Sequence, residues 1–116
     1  MTRRSPLYWL RLVTIAERAL PLRISERAAS DLEAIQRYSA QNYGSTAAEK
    51  YLEGIDSCFK LLQQMPLVGA RRSDLDKAIR SFRYRRHLIF YDHFEDSVRI
   101  QRVLHHAQDI STALDN

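Results

Sequence analysis

Cysteine is all but missing from this chain. Cys58 stands alone among 116 residues, which excludes an internal disulfide framework and suits a reducing compartment. It sits within an apolar helical pattern, where a thiol is a small core side chain rather than a nucleophile. Glycine and proline are also scarce, at three each, and 45% of the residues are hydrophobic. Those figures exclude a tail or linker and indicate a folded globular protein. Long hydrophobic runs are lacking too: Arg11 breaks the first apolar stretch after four residues, so no bilayer span is expected. No glycine loop of the phosphate-binding kind, no Gly-x-Ser-x-Gly and no helical His-x-x-x-His occurs. His105 and His106, as neighbours on a strand, are expected to point to opposite sides and so cannot chelate one ion together. Neither a metal nor a cofactor is expected.

What is present fits one domain with a real core. The net charge of +4 is unevenly spread. Residues 1–20 carry Arg3, Arg4, Arg11 and Arg18 against Glu17, a surplus of three that leaves one positive charge over the remainder. Overall basicity is therefore weak evidence for nucleic-acid binding, and the local block Arg80, Arg83, Arg85, Arg86 and His87 is better evidence for a charged surface. The first twenty residues resemble a secretory signal only in outline, since no small-x-small pattern closes them. Ser5 and Pro6 could open a short helix there. They are read as an appendage at 1–20, outside a domain at 21–116.

Within that domain, Leu20–Ser25 reads as a short strand and Ser25 as the cap of a helix that ends at Gly44. Ala28, Leu32, Ile35 and Ser39 form its apolar stripe. Ser45 is expected to cap a second helix, on which Ala48, Leu52, Ile55, Phe59 and Leu62 repeat at helical spacing until Met65-Pro66. So short a connection makes an antiparallel helical hairpin. Gly54 is expected to admit close helix–helix approach, and Tyr38, Tyr43 and Tyr51 to pack at that helical interface. A loop over Leu67–Lys77 with an acidic turn then precedes strands at Ala78–Tyr84, His87–Asp92 and Val98–His105. In the last, Val98, Ile100 and Leu104 share one parity and Val103 takes the other, so either a bulge occurs or both faces are covered. The predicted architecture is α+β, in the order β-α-α-β-β-β. The helical hairpin packs on one face of a small, mainly antiparallel sheet, and the other face is left open and arginine-bearing.

The runs ASDLEAIQRYSAQNYG, AEKYLEGIDSCFKLLQQMPLVGARRSDL, IRSFRYRRHLIFY and VRIQRVLHHAQD, in this order, resemble a ParE-type toxin of the RelE/ParE superfamily of bacterial type II toxin–antitoxin systems. The resemblance covers roughly residues 22–114. It implies this same fold, with the open sheet and helical groove wrapped by the C-terminal segment of an antitoxin. It also implies a cytoplasmic growth inhibitor neutralised by that small protein partner, with no membrane role. ParE-type members act on DNA gyrase, whereas RelE-type members cut messenger RNA on the ribosome.

The residues bear on that choice. Cleavage through a ribose hydroxyl needs a base, an acid and cations for the phosphate. Arg80, Arg83 and Arg102 could supply charge, His105 or His106 proton transfer, and Tyr91 is a weaker candidate. RelE-type enzymes place lysines and arginines over the sheet with a late tyrosine or a His-Tyr pair, a pattern that His105-His106 answers only in part. Here Lys77 is the only lysine beyond residue 60, and no tyrosine follows Tyr91. His105 is accordingly read as a hydrogen-bonded structural residue and Asp109 as a turn or helix cap. The expected function is that of a gyrase-directed protein inhibitor without catalytic residues, binding its antitoxin or target through Arg80, Arg83, Arg85, Arg86, Arg102 and His106. The alternatives are a ribosome-dependent endoribonuclease using Arg80, Arg83, Tyr91, Arg102 and His105, and an inactive remnant with the unusual N-terminal appendage.

Overall fold

The computed structural model describes residues 19–75, 78–94, 96–108 and 114. The appendage up to residue 18, the helix expected from Ser5 and Pro6, and the turn role of Asp109 lie outside the described residues. The elements are β1 (Leu22–Ile24), α1 (Glu26–Tyr43), α2 (Ser45–Gln64), β2 (Ala70–Arg71), β3 (Arg80–Tyr84), β4 (His87–Phe94) and β5 (Ser97–His105). They form one sheet in the order β1-β5-β4-β3-β2. β1 runs parallel to β5 and the other pairs are antiparallel. The helical hairpin lies on one face. β2 is an addition to the predicted order: two residues of the loop pair with Ser81 and Arg80 on the outer edge of β3.

Ser25 makes the first helix and fastens it to the sheet. Its Oγ accepts from the Ala28 N–H at 3.0 Å, satisfying one of the orphan donors of a helix start. The same hydroxyl donates to Gln101 O at 2.8 Å, and the Ser25 N–H donates to Ile100 O. The second cap differs from the prediction. Gly44, at φ 93 and ψ 159, both receives α1 and starts α2, while Ser45 is already helical and makes no side-chain cap bond. The hairpin reverses within one residue, and only glycine takes that conformation without a Cβ penalty.

Both apolar stripes turn inward. Ala28 and Ile35 of α1, and Ile55, Phe59 and Leu62 of α2, join Ile89 and Tyr91 of β4 and Val98, Ile100 and Val103 of β5 in one buried cluster. The parity break in β5 is a bulge. Tyr91 pairs with Ile100 and Phe90 with Arg102, so Gln101 is the extra residue and Val103 returns to the helical face. Leu104 is buried on the opposite side, as is Phe90. The far face is therefore not open at its centre, contrary to the reading of an uncovered face but as the unbroken apolar run HLIFYD requires of a strand buried on both sides, and the Arg72 guanidinium lies 5.5 Å from the centroid of the Phe90 ring.

β1 covers β5 only from Val98 to Ile100. Beyond it, α1 supplies the missing partner through Asp31. Its carboxylate accepts the Val103 N–H at 2.9 Å and receives two 2.8 Å bonds from the Arg102 guanidinium. A short helix–strand tie thus closes an edge that would otherwise template another chain. Gly54 also has a different task from the one expected. A Cβ there would overlap the hydroxyl and ring of Tyr84 on β3, so the glycine lets α2 approach the sheet rather than α1.

Candidate functional site, a cationic groove beside the helical hairpin

A groove of about 770 Å³ opens where the last turns of α1 and the first turns of α2 meet the β3–β4 turn and the end of β5. Its floor and apolar wall come from Ile35, Ala47, Tyr51 and Tyr84, and its mouth from Lys50, Arg85, Arg86, His87 and His105. Among the described residues no carboxylate lines it. Tyr38 and Tyr43 border it with their rings 6.5 Å apart, edge to face. Each is 59% exposed, so they do not fill the interface between the helices as the sequence reading expected.

Tyr51 organises the inner end. Its hydroxyl shares a 2.8 Å hydrogen bond with His87 Nδ1 and accepts the Arg86 N–H at 3.3 Å. Its ring meets Tyr84 and His87 edge to face at 5.1 and 5.5 Å. Burial raises the Tyr51 hydroxyl above its usual range, so it stays a neutral phenol. Burial first, and then the neighbouring His105 and His106, push His87 down to about 4. At neutral pH His87 is therefore an uncharged hydrogen-bonding ring, while Lys50 and the arginines place positive charge at the mouth.

The turn between β3 and β4 presents those arginines. Arg85 has φ 52, a left-handed conformation that a side chain of its size seldom adopts. Its carbonyl accepts from Arg83 Nε at 2.7 Å, and its guanidinium lies 5.5 Å from the Tyr84 ring centroid. The Arg86 carbonyl accepts the His106 N–H. β5 has ended at His105, so His106 lies in the following turn, and the two imidazoles stack at 4.6 Å instead of pointing apart. Desolvation, then His105, Arg83 and Arg86, hold His106 below the ordinary histidine range. His105 itself accepts the Ala107 N–H at Nδ1 and donates its own backbone N–H to the Gln108 side chain.

The structure thus gathers Arg83, Arg85, Arg86, His105 and His106 at one end of the sheet and places the other three named residues elsewhere. Arg80 donates to Gly69 O and Leu67 O. Tyr91 is fully buried, with its hydroxyl donating to Pro66 O and accepting from Gly69 N–H. Arg102 is held by Asp31. Sequence reasoning missed Lys50, the outward placement of Tyr38 and Tyr43, and the bond from Tyr51 to His87. One signal was available: three of the six tyrosines fall between 38 and 51, in addition to the residues of the two apolar stripes. Among the described residues no group of three His, Cys, Asp or Glu could hold a metal ion. No described helix is long and apolar enough to cross a membrane.

Comparison with known proteins gives a consistent picture. Residues 22–110 match the family model described as the ParE toxin of the type II toxin–antitoxin system parDE. Toxin ParE1 of Caulobacter vibrioides is 30% identical over 89 residues, covering 77% of this chain and 92% of that protein. A solved structure of the chromosomal ParDE toxin–antitoxin system from P. aeruginosa superimposes with a TM-score of 0.65. It covers 76% of this chain and 97% of its own at 24% identity, a likeness of fold.

Proposed function

Because this chain belongs to the ParE toxin family of type II toxin–antitoxin systems, we propose that it is a cytoplasmic growth inhibitor that poisons DNA gyrase and is silenced by an antitoxin seated in the groove. One observation carries the choice of a protein inhibitor over a nuclease. RNA cleavage needs an acid, a base and cations converging on one phosphate. Of the five candidates, Arg80 and Tyr91 are engaged beneath the Met65–Gly69 loop and Arg102 is engaged by Asp31. Only Arg83 and His105 remain near the groove, and His105 Nδ1 already accepts a backbone N–H.

The groove itself supports the antitoxin part of this reading. An apolar floor with tyrosine edges and a cationic mouth is complementary to an amphipathic segment carrying carboxylates. Arginine forks bind those carboxylates with two parallel bonds, which fixes register as well as charge. The test is controlled induction in cells lacking the antitoxin, with DNA-damage response and translation rate followed together. Gyrase poisoning gives filamentation and a damage response while protein synthesis continues. Abrupt translation arrest without DNA damage would overturn the gyrase reading in favour of the ribosome-dependent nuclease. Absence of any effect on growth would indicate an inactive remnant.

A further inference from the structure

Three of the four histidines come together beside the groove. The His87 ring stands edge to face with His105 at 5.5 Å, and His105 stacks on His106 at 4.6 Å. Of these, His87 and His105 line the groove, and they differ in what holds Nδ1. His105 Nδ1 accepts the Ala107 N–H at 3.1 Å, so a proton placed there would break that bond. His87 Nδ1 instead meets the Tyr51 hydroxyl at 2.8 Å, a group that can reverse its role. The single hydrogen of that hydroxyl has two acceptors within reach, His87 Nδ1 at 2.8 Å and Tyr84 O at 3.5 Å, while its oxygen accepts the Arg86 N–H. Beside a neutral ring the hydroxyl donates to Nδ1. Beside an imidazolium it accepts from Nδ1 and turns its hydrogen to Tyr84 O. His87 can therefore take up a proton without orphaning a polar group. Its Nε2 makes no hydrogen bond among the described residues.

We propose that His87 couples antitoxin binding to proton uptake: a carboxylate of the seated antitoxin segment brings a proton onto the ring, and the complex tightens as pH falls. This rests on the reading above that an antitoxin occupies the groove. The groups around His87 set the direction. Lys50 of α2 and Arg85 and Arg86 of the β3–β4 turn line the same groove. Tyr51 of α2 meets the ring edge to face, with Tyr84 of β3 beside it. His105 and His106 oppose a charge on the ring. Asp31 of α1 favours one, yet its carboxylate is already engaged by Arg102 and the Val103 N–H. The free ring accordingly stays neutral down to about pH 4. A carboxylate entering the mouth supplies the missing opposite charge and raises that value. Between the free and bound values, binding takes up a proton and affinity rises as pH falls. Above both values affinity is independent of pH, and below about pH 4 protonation of the antitoxin carboxylate cancels the gain. Lysine and arginine side chains do not titrate over this range, so they give salt dependence alone.

The probe is the purified small protein whose reading frame adjoins that of the toxin. It is titrated calorimetrically into the full-length toxin at about pH 7.5, 6.5 and 5.5. Two buffers of different ionisation enthalpy are used at each pH, so that the protons taken up are counted directly. The wild type should gain about three- to tenfold in affinity from the highest to the lowest pH and take up most of one proton at the lowest. His87→Asn keeps a group able to bond the Tyr51 hydroxyl but cannot carry the charge, so its Kd should not change with pH and it should take up no proton. Should that variant fail to fold, His87→Gln decides by the same criterion. Tight wild-type binding without proton uptake would overturn this inference and leave the antitoxin reading standing. Equal uptake by the wild type and the folded variant would overturn the assignment to His87. A partner that does not bind the wild type at any pH would overturn the antitoxin reading and this inference with it.

Discussion

Arg85 shows how one residue can be kept at a cost in local strain. A non-glycine side chain at φ 52 is strained by about 1 kcal/mol relative to glycine. The guanidinium regains roughly 0.5–1 kcal/mol by lying over the Tyr84 ring. The two effects nearly cancel, so Arg85→Gly should change stability in chemical denaturation by no more than about 0.5 kcal/mol. The same substitution removes one cation from the groove mouth, so antitoxin affinity should fall several-fold with a shallower salt dependence in titration. A loss of stability with unchanged affinity would assign Arg85 to the fold instead. Tyr91 is the converse case. It resembles a candidate for chemistry in the sequence, yet it is fully buried and its hydroxyl is spent on two backbone groups of one loop.

At the level of elements, specific contacts tie each helix to the sheet. α1 guards the open part of β5 through Ser25 and Asp31, and α2 reaches β3 because Gly54 leaves room for Tyr84. Gly54→Ala sets two effects against each other. Alanine favours the helix by roughly 1 kcal/mol, while forcing a methyl against the Tyr84 ring costs about 1–3 kcal/mol. The clash should win, with a net loss of up to about 2 kcal/mol in urea denaturation. In a Tyr84→Ala background the space is vacant, so the same change should reverse sign and stabilise by up to about 1 kcal/mol. A cycle without that reversal would show that the close approach at Gly54 carries no energetic weight.

For the molecule as a whole, His87 makes stability depend on pH. The folded-state value for His87 is about 4, below the 6.5 of a free side chain. Above pH 6.5 the ring is neutral in both states and the full stability is present. Between 6.5 and 4 the unfolded chain takes up a proton that the folded chain resists, so stability falls with pH and levels off below about 4. Asp31 opposes the shift, while His105 and His106 reinforce it. The whole shift would amount to roughly 3 kcal/mol, and solvent screening at a half-buried ring reduces this to about 1–2 kcal/mol. Denaturation at about pH 7, 6 and 5 should show that decline in the wild-type protein and a flatter profile in His87→Asn. Equal slopes would remove His87 as its source.

Much of this protein is written locally. The stripes from Ala28 to Ser39 and from Ala48 to Leu62 specify two helices whichever partner they meet, because periodicity fixes which side chains share a face. Gly44 permits the tight hairpin, and the break in parity at Val103 calls for either a bulge or cover on both faces, of which the fold has both. The four motif runs are enough to identify the family resemblance. Tertiary structure decided the rest, because each outcome depends on groups far apart in sequence. It set Gly54 against Tyr84, tied Arg102 to Asp31 and Tyr91 to Gly69, and covered Phe90 on the far face. Residue type says that an arginine or tyrosine can bind or catalyse. Only the fold determines whether its hydrogen bonds are already taken, since a buried polar group must find a partner wherever the packed chain places one.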